Sequence, residues 1–217
     1  MIKLVQEHRL FFFLYAVFLA VGAILLLTID KGREIIFVNG LHSPWFDAFF
    51  LNVTRMAEAP AFILMLFIIL FGGYGNGLIL AITYATVGGI VQFLKTVVFE
   101  EQLRPSLYFS SAIQLNFVPG MEVARYHSFP SGHTALAFAL FLSLCFITKN
   151  KVWGVAFFAM ALLVGLSRVY LLQHFFIDVY FGSLLAVIIT TLVRSSITQS
   201  AAYQKLTWRN KTLFAND

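Results

Sequence analysis

Apolar residues in this chain come in long runs, and their lengths are the first guide to structure. Leu10 to Ile29 carries no charge, which matches the roughly 20 residues needed to cross a bilayer's hydrocarbon core. Lys3 and Arg9 before it imitate a secretion signal, but the run is too long for one and lacks a small-residue cleavage site, so it reads as an uncleaved helix. Residues 59 to 94 are also free of charge. "GGYGNG" at 72 to 77 divides them, predicting spans two and three. Span two is short unless it begins near Phe49 and carries Arg55 and Glu58 at the interface, while "SPWFDAFF" before it reads as a segment along the membrane surface, anchored by Trp45. Spans four, five and six follow at about Phe129–Thr148, Val152–Ser167 and Phe175–Val193.

The pattern therefore predicts an all-α, six-helix transmembrane bundle, a single domain over residues 1–217. Six crossings put both termini on one side. With the termini inside, eight Lys and Arg residues face the cytoplasm and seven the exterior. Three of the seven, Lys95, Arg104 and Arg168, belong to polar clusters with another reason to exist. Setting them aside, the positive-inside rule favours cytoplasmic termini.

Composition agrees with the runs: 60% of residues are hydrophobic and 12% charged, far below the quarter or so of a soluble domain. The single Cys145 excludes a disulfide framework or a cysteine metal cluster. A net charge of +5 is scattered through loops, which fits a phospholipid surface better than nucleic acid.

The polar residues gather in two loops that any six-span topology places on the same side. The loop before span four holds "KTVVFEEQLRP" and "YHSFPSGH"; the loop before span six holds "SRVYLLQHFFID". His174 and Asp178 are four apart, one helical face, so the carboxylate can accept from the imidazole and orient a base or nucleophile. The alternative is a stabilising His–Asp pair at the interface. Ser131, Gly132 and His133 fall at a helix start, where free N–H groups and the dipole attract an anion; ordinary capping is the alternative. Arg104 and Arg168 offer forked donors to a phosphoryl group and Lys95 a point charge. Each can instead reach up to lipid headgroups.

Together these stretches resemble the type 2 phosphatidic acid phosphatase family, integral membrane lipid phosphatases related in fold to the vanadium haloperoxidases. The resemblance rests on Lys95 with Arg104-Pro105, on Pro130 to His133, and on Ser167-Arg168 with His174 and Asp178, a motif core spanning 95–178. It implies that His174 attacks phosphorus, Asp178 holds its tautomer and His133 protonates the leaving oxygen. Lys95, Arg104, Arg168, Ser131 and Gly132 would bind the phosphoryl oxygens, with no metal or other cofactor. One feature departs from the family: eight residues separate Lys95 from Arg104 instead of six. At about 100° per residue, a continuous helix would set the two on opposite faces. The helix is therefore expected to end before Arg104, with "EEQL" in irregular loop.

A transporter or channel, and a metal-dependent hydrolase using His133, His174 and Asp178, are the competing readings. A serine hydrolase through Ser131 lacks a G-x-S-x-G elbow. The expected partners are membrane lipids and a lipid phosphate substrate, met at the outer face of a bacterial inner membrane. Undecaprenyl diphosphate, a lipid A phosphate, phosphatidylglycerol phosphate and phosphatidic acid are the candidates; oligomeric state is not legible. Arg33, Arg55 and Arg125 would share the site's side of the membrane and could hold a second phosphate.

Overall fold

The structure, a computed structural model, describes residues 1–109 and 113–213. Every regular element among them is helical: α1 (Ile2–Glu7), α2 (Arg9–Thr28), α3 (Arg33–Asn39), α4 (Pro44–Thr54), α5 (Ala59–Leu70), α6 (Tyr74–Phe93), α7 (Pro105–Tyr108), α8 (Gly132–Ile147), α9 (Trp153–Tyr170), α10 (Phe176–Gln199) and α11 (Ala201–Gln204). Three single turns supplement these: a 3₁₀ turn at Arg55–Ala57, a π turn at Leu94–Val98 and a 3₁₀ turn at Thr207–Asn210.

By length and composition α2, α6 with its π turn, α9 and α10 can cross a membrane. A fifth crossing is the pair Pro44–Ala57 and Ala59–Leu70, bent by 54°. The bend falls at Glu58, the extended N-cap of α5, with Pro60 in the first turn, where its missing N–H breaks no helical hydrogen bond. The sequence "SPWFDAFF" thus opens α4, with Ser43 accepting from the Phe46 amide and Pro44 in the first turn.

α8 is apolar but only 16 residues long, and it starts at Gly132, not Phe129. Eleven of those residues are buried. It is the central helix, packed against α6, α9 and α10, which is why its apolar surface runs all the way round. Phe138 touches Tyr15 of α2 and Phe158 of α9 by ring contacts at 5.7 and 6.4 Å, closing the core around it.

The break expected across "GGYGNG" is narrower than the glycines imply. Only Phe71 to Gly73 leave the helix; Gly75 and Gly77 lie inside α6. Close packing accounts for both, since a Cβ on Gly77 would come within 2.6 Å of Leu70, and one on Gly75 would collide with the Tyr203 hydroxyl and the Arg209 carbonyl. The C-terminal segment thus lies across the start of α6, where the Tyr74 amide donates to the Lys211 carbonyl at 2.9 Å. Arg194 near the end of α10 donates to Asn76 at 2.9 Å on the same end of the bundle.

At the opposite end, the long connection from α7 to α8 is fastened by side chains of Asn39 and Gln173, among others. Asn39 exchanges two hydrogen bonds with the backbone of Asn116, at 2.9 and 3.0 Å. Gln173 donates to the Glu122 carbonyl at 2.9 Å.

Candidate active site

The last turn of α9 carries Arg168, and the chain beyond it folds back on that residue. The Gln173 and His174 amides both donate to the Arg168 carbonyl, at 2.9 and 3.2 Å, and Leu172 takes a left-handed conformation, φ 57°, to make the turn. α10 then begins at Phe176. Asp178 sits in its first turn, and its Oδ2 accepts from the Phe175 amide at 3.0 Å, from Ser128 Oγ, and from His174 Nδ1 at 3.4 Å. One carboxylate oxygen therefore caps a helix and orients a histidine. Because Nδ1 faces the carboxylate, Nε2 is the ring nitrogen left to meet a substrate.

His174 is buried, 1% exposed. Burial, then the charges of Lys95, Arg104, Arg168 and His133, hold its pKa well below the usual 6.5. The four neighbours come from α6's π turn, the loop before α7, α9 and α8, so all three motif stretches converge on one imidazole.

Lys95 reaches the cluster despite its longer spacing to Arg104. The helix carrying it ends in the π turn at Val98, and Arg104 has extended backbone, so "EEQL" is irregular as expected. A Cβ on Gly132 would lie 4.0 Å from Lys95 Nζ. Arg104 is clasped by acceptors: Nε donates to the Tyr126 carbonyl at 2.9 Å, while Nη1 donates to the Gln173 carbonyl and to Gln173 Oε1 at 3.1 and 3.0 Å. Among the described residues, Nη2 makes no hydrogen bond. Arg168 Nη1 donates to Thr54 at 2.6 Å, and its buried Nε has no hydrogen-bond partner among the described residues. An unmatched buried guanidinium donor is costly, and its charge and geometry suit an anion.

At Ser131 the structure shows the capping alternative. It is the N-cap of α8, its Oγ accepting from the Thr134 amide at 3.4 Å and hydroxyl at 2.8 Å, and its own amide donates to the Asp178 carbonyl at 3.0 Å. Its hydroxyl proton remains for a ligand. The Gly132 and His133 amides belong to the first turn, where N–H groups have no intrahelical acceptor. Gly182 lets α10 approach this loop: a Cβ there would lie 2.7 Å from the Ser131 carbonyl.

Thr54, Ser128 and Gln173 are the neighbours that sequence reasoning passed over. Among the described residues no three His, Cys, Asp or Glu side chains are grouped closely enough to hold a metal ion, so His133, His174 and Asp178 do not form such a set. Arg33 pairs with Asp30 at 3.3 Å and Arg55 with Asn52 at 3.3 Å; like Arg125, both are exposed.

What these observations define is an integral membrane protein of helices, with a buried histidine–carboxylate pair ringed by three cations beside a helix N-terminus. The chain belongs to the PAP2 superfamily, whose sequence model matches residues 76–201. It is 29% identical over 170 residues to "Phosphatidylglycerophosphatase B" of Bacillus subtilis (strain 168), covering 71% of this chain and 76% of that one. It is also 29% identical over 158 residues to "Undecaprenyl-diphosphatase BcrC" of the same organism, covering 70% and 76%.

Among solved structures, the Aquifex aeolicus LpxE fold superposes with a TM-score of 0.66 at 24% identity, over 76% of this chain and 94% of that one. A "transmembrane PAP2 type phosphatidylglycerolphosphate phosphatase from Bacillus subtilis" gives 0.60 at 25% identity, over 92% and 98%. The protein is a membrane lipid phosphatase, a phosphoric ester hydrolase. The transporter and channel readings fall away.

Proposed function

We propose that the chain is one membrane-embedded domain of six spans with cytoplasmic termini, its active site opening at the outer interface of a bacterial inner membrane. There it cleaves a phosphomonoester or diphosphate of a lipid. His174 Nε2 donates its electron pair to the terminal phosphorus as its bond to the leaving oxygen breaks, the lipid alcohol's in a monoester or the remaining phosphate's in a diphosphate, and that oxygen takes the proton of His133. A phosphohistidine results. Water, deprotonated by His133, then breaks the P–N bond and releases inorganic phosphate.

Lys95, Arg104 Nη2, Arg168 Nε, the Ser131 hydroxyl and the first-turn amides at Gly132 and His133 surround the phosphoryl oxygens, supplying fixed charge where it develops in the transition state. The observation that carries this reading is the Nδ1 contact of His174 with Asp178 at 3.4 Å, which leaves Nε2 as a neutral nucleophile among cations. Undecaprenyl diphosphate, a lipid A phosphate, phosphatidylglycerol phosphate and phosphatidic acid all present the group this cluster would hold.

Phosphate release by the purified protein across those four lipids, with His174→Ala and His133→Ala controls, is the test. Both variants should insert and fold yet lose turnover. Activity should survive chelator, fall with vanadate, and leave an acid-labile phosphohistidine in a rapid quench. Near-normal turnover in either variant, or loss with chelator, would overturn the mechanism.

A further inference from the structure

Four consecutive residues, 125–128, each bond to a residue of the site. The Arg125 carbonyl accepts from the Arg104 amide at 2.8 Å, and the Tyr126 carbonyl accepts from Arg104 Nε at 2.9 Å. His127 Nδ1 lies 3.0 Å from the Lys95 carbonyl, and the Ser128 hydroxyl donates to Asp178. His127 itself takes no part in the phosphohistidine steps.

A carbonyl oxygen only accepts, so this contact makes Nδ1 the protonated nitrogen of the His127 ring. Lys95 lies in the π turn that ends its helix at Val98, and the last carbonyls of a helix have no amide ahead of them to accept from. His127 therefore caps that C-terminus at the residue that carries the cation. It does so with φ 58°, a left-handed conformation uncommon for a residue with a Cβ.

The backbone position of Lys95 matters because its ammonium acts at the far end of a long side chain. A Cβ on Gly132 would lie 3.9 Å from Lys95 Cε and 4.0 Å from Nζ, which sets the ammonium beside the first turn of α8. The dipole of α8 disfavours a cation there, so the reach of Lys95 depends on where its backbone is fixed. Eight residues intervene before Arg104, and the helix ends at the third of them. No continuous helix holds the two cations in register; the segment 125–128 bonds to both.

We propose that His127 is a positioning residue, whose Nδ1–H holds the Lys95 carbonyl so that the Lys95 ammonium meets the phosphoryl group. The inference rests on the phosphatase reading above. What the ring supplies is one donor at the δ position. Asparagine offers an amide N–H at the equivalent place and takes left-handed backbone readily. Glycine keeps the backbone and loses the donor.

The experiment measures orthovanadate affinity of the purified full chain from the rise in melting temperature that vanadate causes. Each rise is read against the same variant without vanadate, so a change in stability alone does not enter. His127→Gly should bind about tenfold more weakly, the worth of one hydrogen bond, and His127→Asn should stay within about twofold of wild type. Added to Lys95→Ala, His127→Gly should cost no more than about a further twofold, because the group it positions is gone.

Wild-type affinity in His127→Gly, the same loss from it with and without the Lys95 side chain, or His127→Asn binding as weakly as His127→Gly would overturn the proposal. Full affinity in Lys95→Ala would take Lys95 out of the phosphate cluster, and the proposal with it. A wild type that vanadate does not stabilise would overturn the phosphatase reading itself.

Discussion

Gln173 accepts twice from a single nitrogen of Arg104: Nη1 lies 3.0 Å from the side-chain oxygen and 3.1 Å from the main-chain carbonyl. Gln173 also donates to the Glu122 carbonyl. Gln173 thus ties the turn before α10, an arginine of the cation cluster and the α7–α8 connection into one unit. Hydrogen bonds to a charged group are each worth about 1.5–3 kcal/mol. Gln173→Leu, which keeps the volume and removes the side-chain acceptor, should lower kcat/KM about tenfold, mainly through KM. An unchanged KM would refute the positioning role.

Asp178 and Ser128 make a graded pair. Asp178→Asn removes the charge that stabilises the ring and its tautomer, and should cost about 10³- to 10⁴-fold in kcat, as tautomer loss does in serine proteases. Ser128→Ala leaves the Phe175 and His174 contacts in place and should cost about tenfold. Turnover at saturating substrate, with folding checked by thermal melting, separates them. Equal effects would show that Ser128 does more than orient the carboxylate.

Two glycines give a packing test with opposite outcomes. Gly182→Ala drives a methyl to 2.7 Å from the Ser131 carbonyl, and backbone cannot step aside as a flexible side chain would. Both melting temperature and activity should fall. Gly89, inside α6, has nothing within 4 Å of a Cβ; Gly89→Ala should be neutral or more stable by about 0.5–1 kcal/mol. Melting curves and phosphate release on the two variants decide it.

Acid should weaken the fold through buried histidines. Burial, then Lys151, lowers His8 to about 4, and His174 is lowered too. Above about pH 6.5 both are neutral whether the protein is folded or unfolded. As pH drops below that value the unfolded chain takes up protons that the folded chain refuses, so stability declines. For His8 the decline is complete near pH 4. The melting temperature of wild type should fall between pH 7.5 and 4.5 by more than that of His8→Phe, which keeps the ring packing against Phe146. A parallel decline in the two proteins would assign the acid sensitivity elsewhere.

The motif residues were legible because their spacing is local: Arg168, His174 and Asp178 lie within 11 residues of one another, and a helix end plus one turn brings them together. Their partners were not. Thr54 is 114 residues from Arg168 and Ser128 is 50 from Asp178; no periodicity links such pairs. The fastening of the α7–α8 connection by Gln173 was hidden for the same reason. Among the helices, α2, α9 and α10 followed their apolar runs closely. "GGYGNG" misled because glycine breaks a helix only where nothing packs into the missing side chain, and in α6 neighbouring chains fill that space.

α6 works as a rod pinned at both ends. Twenty residues at 1.5 Å each put about 30 Å between them. At the start, the tail's Lys211 carbonyl holds the Tyr74 amide and the Arg209 backbone rests on Gly75. At the finish, the π turn presents Lys95 to the cluster. The Arg209–Lys211 backbone and the Lys95 ammonium therefore stand at the two ends of one helix, a single rigid span joining the tail to the cluster.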